Sequence, residues 1–103
     1  MTDIENDIIK QQIVGETSKI AWHELQYFFA SGMAIYVSDE LDLVEVASCF
    51  VDDNKAMVDK WMQDKLVMHV PDEQAKSWYD NEAMVWAVVV KPWVLVQQVK
   101  NLQ

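Results

Sequence analysis

Apolar positions along this chain change their spacing several times, and each change predicts an element. Ile4, Ile8, Ile9 and Ile13 fall on one face of a helix over residues 3–14, weakened after Gly15. A second helix is expected over 22–31, with Trp22, Leu25, Phe28 and Phe29 packing inward and Gly32 as its stop. Met33 to Val37 reads as a short strand. Asp42, three residues before Glu45, predicts an N-cap with a capping-box partner for a helix carrying Leu43, Val46, Ala47 and Phe50. Asp52-Asp53-Asn54 ends that helix and caps the next, which turns Met57, Val58, Trp61 and Met62 inward. A strand at Leu66–Val70 and a helix at Asp72–Asp80, built around Ala75, Trp78 and Tyr79, follow.

The run Ala83 to Val96, AMVWAVVVKPWVLV, breaks this alternation because it is apolar on both parities. A strand of that kind is covered on both faces, by the rest of the fold or by a second copy. Val89, in the middle of it, is therefore expected to be buried. A membrane span needs about 20 apolar residues, whereas Lys91-Pro92 interrupts this run after eight. That pair predicts a bulge or bend rather than a hairpin turn, since it lacks the Gly or Asn of tight turns. A C-terminal helix from Pro92 through Leu95, Val99 and Leu102 is the alternative.

The element order implies one α+β domain over residues 1–103, with a small three-stranded sheet and helices packed on it. Residues 42–70 have the outline of a winged helix, two helices and then a strand, although the turn lacks the usual Gly.

Charge removes whole classes of partner. Seventeen acidic residues face eight lysines without an arginine, for a net charge of −9. Nucleic acids and anionic membranes both require cationic surface, so neither is an expected partner. The two isolated glycines, Gly15 and Gly32, cannot build a phosphate loop or a dinucleotide fingerprint. The acidic, interrupted N-terminus does not read as a signal peptide. With Cys49 as the lone cysteine, the expected compartment is the reducing cytoplasm.

Few residues suggest chemistry. Asp39, Glu40, Asp42 and Glu45 are acidic but lack the pattern of a calcium loop, and His23 and His69 lack zinc-ligand spacing. Cys49 sits among apolar neighbours without a motif base, which predicts an inert thiol. No cofactor is expected. Of the tryptophans, Trp22, Trp61, Trp78 and Trp86 read as core. Trp93, beside Lys91 at the break in the valine run, makes these two residues the candidate binding positions.

The stretches Lys19-Ile20-Ala21-Trp22, Glu24-Leu25, Phe28-Phe29-Ala30 with Gly32, and Leu41 through Ala47 are shared features of a known set of sequences. So are Asp53, Trp61, Trp86 through Val90 and Pro92 through Gln97. Over residues 13 to 98 the chain thereby resembles a small bacterial family of unknown function, DUF2288. The resemblance implies a cytoplasmic single-domain protein and brings no catalytic residue, cofactor or substrate.

The leading expectation is a non-enzymatic protein-interaction module that forms a homodimer, with an unidentified protein as a further partner. Trp93 to Val96 is the expected contact, with Trp93 at or near the interface. The alternatives are a degenerate winged-helix DNA-binding regulator and a small enzyme using carboxylates in a pocket under the tryptophans.

Overall fold

The computed structural model describes residues 2–99, with side chains from residue 8 onward. In chain order the elements are α1 (Thr2–Glu16), β1 (Ser18–Ala21), a 3-10 helix (Trp22–Leu25), α2 (Gln26–Ala30) and β2 (Ala34–Val37). They continue with α3 (Leu43–Val51), α4 (Lys55–Gln63), β3 (Val67–His69), α5 (Asp72–Asp80), β4 (Met84–Val90) and β5 (Trp93–Gln98). The strands form one sheet in the order β1-β4-β5-β2-β3, in which only the β2–β5 pair is parallel.

The α+β class therefore stands, but the sheet has five strands rather than three. One extra strand is β1, where Ser18–Ala21 pairs with Ala87–Met84. Its four residues are too few to show an alternation. The other comes from the valine run, which folds back on itself with Val90 opposite Trp93. Lys91 and Pro92 are the two-residue hairpin turn, not a bulge, and no helix begins at Pro92. The Lys91–Pro92 peptide is cis, the form that places proline third in a four-residue turn without Gly or Asn. Leu102, part of the helical alternative, lies outside the described residues.

The two parities of the run serve two separate cores. Val88 and Leu95, with Trp86 and Trp93 packed alongside, join Ile35, Val37, Val46, Ala47, Trp61 and Val67 on the face covered by α1, α3 and α4. Val85, Ala87, Val94 and Val96 join Trp22, Leu25, Ala34, Ala75 and Trp78 on the face covered by the 3-10 helix, α2 and α5. Both faces are thus covered by helices of the same chain, and burying them needs no second copy. Ile13 and, in part, Ile9 anchor α1 to the first core, while Ile8 is exposed. The Ile4 side chain lies outside the described residues.

Val89 departs from expectation. It is 52% exposed while Val88 beside it is 1% exposed. The helices on its face leave this end of β4 uncovered, and a residue pattern cannot show where a covering layer stops. β5 differs from expectation too. It is hydrogen-bonded to a strand on each side, and Val94, Leu95 and Val96 are buried within the chain. It offers no edge for pairing, so Trp93 alone of the segment Trp93–Val96 is accessible to a partner.

Residues 42–70 do fold as helix, turn, helix and strand, but not as a winged helix. β3 is an edge of the common sheet, antiparallel to β2, rather than a wing projecting beyond it. Trp61 holds α4 in the core. The helix starts follow the sequence closely. Asp42 Oδ1 accepts from the Val44 and Glu45 amides at 2.9 and 3.4 Å, and Asn54 Oδ1 accepts from Met57 N at 3.3 Å. The Glu45 carboxylate accepts from Lys10 Nζ at 3.0 Å, tying α3 to α1.

The helix ends share one device. After α2, α3, α4 and α5 the chain enters the left-handed region at Gly32, Asp53, Lys65 and Glu82. In each case the next amide reaches back to the fifth residue before it. Met33 N donates to Phe28 O, Asn54 N to Cys49 O, Leu66 N to Trp61 O and Ala83 N to Trp78 O, all at 2.8 to 2.9 Å. This is the Schellman arrangement, normally completed by glycine, and three of the four positions here carry side chains.

Two predictions follow from this geometry. Val88→Asp buries an unpartnered carboxylate and costs several kcal/mol of the roughly 5–15 available to a small domain. Val89→Asp stays soluble and folds cooperatively; circular dichroism melts of the two variants check the contrast. Lys65→Gly relieves a left-handed residue that costs an L-amino acid about 1–2 kcal/mol, partly offset by the entropy of glycine. It should raise the melting temperature by several degrees, and an unchanged or lower value would refute the reading.

Candidate functional site

The hairpin turn brings the end of the sheet against the α3–α4 junction, and a groove of about 330 Å³ opens between them. α3 supplies Cys49 and Phe50 from its last turn, and the left-handed turn supplies Asp53 and the cap Asn54. α4 contributes Lys55, Val58 and Asp59, and the hairpin contributes Val90, Lys91 and Trp93. Lys91 and Trp93, far from residues 49–59 in sequence, thus line one concavity with them. Phe50, Val58, Val90 and Trp93 are partly buried, packed on the core beneath α3 and α4. Trp93 also meets His69 of β3 edge to face, with ring centres 6.2 Å apart.

The groove is chemically mixed, with apolar side chains packed on the core and two lysines and two aspartates around them. Among the described residues, neither Lys55 nor Lys91 has a carboxylate within ion-pair distance. Cys49 is buried, and burial pushes its thiol pKa up from the usual value. Glu45 and Asp52 add to the rise, against an opposing effect of Lys10. A thiol held protonated is a poor nucleophile.

The other sequence candidates are dispersed. Asp42 and Glu45 are engaged in the cap and the ion pair with Lys10. Among the described residues, no group of three or more His, Cys, Asp or Glu could hold a metal ion. His23 stacks on Tyr79 with ring centres 4.3 Å apart, and its Nε2 lies 3.1 Å from Tyr79 O at the end of α5. Trp22, Trp78 and Phe29 pack edge to face, so the space beneath the tryptophans is filled by the rings themselves. Among the described residues, Trp22 Nε1 has no hydrogen-bond partner there. Trp86 is partly buried, with Lys19 Nζ 5.2 Å above its ring.

The second feature at this end of the molecule is an open sheet edge. β1 pairs with β4 only as far as Ser18 opposite Ala87, so among the described residues Val88–Val90 has no strand on that side. Val94 N donates to Met33 O at 3.0 Å, away from β4. Val89, opposite Val94, therefore belongs to a non-hydrogen-bonded pair and directs its own N–H and C=O toward the open side.

The sequence pointed to Lys91 and Trp93 but not to their neighbours in the groove. The turn at Asp52-Asp53-Asn54 was visible as a helix boundary. That it meets the hairpin depends on β5 being inserted between β4 and β2, which no local signal encodes.

A family model described as "Protein of unknown function (DUF2288)" matches residues 8–98. A solution NMR structure of PA1075 from Pseudomonas aeruginosa is similar at 37% sequence identity and a TM-score of 0.80, covering 91% of this chain and 87% of that one. A search of curated proteins gives no match. Among the described residues no helix is long and apolar enough to cross a membrane.

Cys49 supplies the test of the site's chemistry. At neutral pH a thiol reagent such as Ellman's should modify the folded protein slowly and the denatured protein at the rate of a free cysteine. Rapid labelling of the folded protein would mean an activated thiol, and the inert reading would fall.

Proposed function

This chain belongs to the DUF2288 family, and we propose that it acts as a non-enzymatic protein-interaction module that pairs with a second copy through the open edge of β4. The observation carrying this reading is Val89, an exposed valine within the apolar run whose backbone groups are directed away from β5. An unpaired, uncharged edge of this kind is a template for strand addition. In a chain of net charge −9, like-charge repulsion opposes self-association over most of the surface. Val88-Val89-Val90 carries no side-chain charge and adds no repulsion of its own to the contact.

A second copy suits the edge because the open stretch is short. β1 bounds it on one side and the Lys91-Pro92 turn on the other. The same stretch of another molecule, running antiparallel about Val89, has matching length, and twofold pairing is the commonest closed arrangement. Trp93 and Lys91 flank that contact. The location proposed here replaces the Trp93–Val96 contact that β5 cannot make.

Light scattering at micromolar concentration tests the reading. The wild type should have twice the 12.0 kDa chain mass, and Val89→Lys, which places a charge on the edge, should have the chain mass while keeping its fold. A wild type at the chain mass would remove the dimer. A Val89→Lys variant that remains dimeric would remove the β4 edge as its interface.

A further inference from the structure

We infer that the groove between the hairpin and the α3–α4 junction is a binding site for a small apolar α-amino acid. This inference does not rest on the dimer. The groove is formed within one chain and is lined by residues of α3, α4, β4, β5 and the turns between them. Its volume, about 330 Å³, falls at the small end of the range for ligand sites, about 300–1,000 Å³, and suits a single side chain with its α-carbon substituents.

Its chemistry selects the class. Phe50, Val58, Val90 and Trp93 provide apolar contact for a hydrocarbon or aromatic side chain. Lys55 and Lys91 supply cations for a carboxylate, and Asp53 and Asp59 supply anions for an ammonium group. Within a strongly acidic chain, this lining is charge-balanced, with two groups of each sign. A purely anionic ligand would leave the aspartates opposing it, and a purely cationic one would leave the lysines opposing it. A zwitterion with an apolar body satisfies both pairs and the floor together. Trp93, held edge to face against His69, offers its ring to the apolar body.

The test is an NMR titration of the ¹⁵N-labelled full chain with L-phenylalanine. It is matched by 3-phenylpropionate, which lacks the amine, and phenethylamine, which lacks the carboxylate. L-Phenylalanine should perturb amide signals of residues 49–59 and 90–93 at millimolar concentration. Each truncated probe should bind at least about tenfold more weakly, the size of one lost charge-assisted contact. Lys91→Ala and Asp59→Asn, both exposed and outside the core, should each weaken L-phenylalanine by about the same factor. Perturbations absent or scattered over the surface would overturn the proposal. Equal binding of either truncated probe, or rim variants that leave the affinity unchanged, would do so as well. The molar mass of the sample is read separately, so failure here is distinguishable from failure of the dimer.

Discussion

The structure depends on β5 lying between β4 and β2. Its backbone is hydrogen-bonded on both sides, antiparallel to β4 and parallel to β2. Its side chains alternate between the two cores, Leu95 into one and Val94 and Val96 into the other. Removing it would separate the β1–β4 pair from the β2–β3 pair and open both cores at once. Burial on two faces and pairing on two edges explain why Trp93–Val96 is apolar on both parities. Gln97 extends the same control to a loop. Its side-chain amide donates to Ser38 O at 2.9 Å and to Leu41 O at 2.7 Å, holding the connection between β2 and α3 against the sheet.

The helix ends turn this sheet into a shaped surface. Left-handed residues after α2, α4 and α5 redirect the chain into β2, β3 and β4, and the one after α3 sends it directly into α4. Asp53 at that corner places Asn54 as the cap of α4 and brings the first turn of α4 over the hairpin. The groove thus follows from two sharp reversals, a helix corner without glycine and a strand turn at Lys91-Pro92. Neither reversal uses a flexible residue, so the walls are set by backbone hydrogen bonds and packing.

Both functional proposals concern the same end of the molecule, where covering layers run out. β1 stops before β4 does, and the helices on the Val89 face stop before the hairpin does. What remains accessible there is apolar surface rimmed by charges of both signs, in a chain of net charge −9. An edge of valines offers backbone pairing, whereas the groove offers apolar contact with paired charges. These are different kinds of recognition that meet at Val90 and Lys91.

Element identity in this protein is written locally. The spacing of apolar residues located α3, α4 and α5 closely, and the caps Asp42 and Asn54 marked the starts of α3 and α4. These properties depend on neighbours a few residues apart, so the chain itself determines them. The hairpin was missed because its turn lacks Gly and Asn, and β1 because four residues carry too little pattern. Val89 was misplaced because its burial depends on how far α5, α2 and the 3-10 helix reach, not on its neighbours in the run. The partners of Lys91 and Trp93 were hidden for the same kind of reason. Strand order and the extent of a covering layer arise from contacts between residues distant in sequence, and only the tertiary structure decides them.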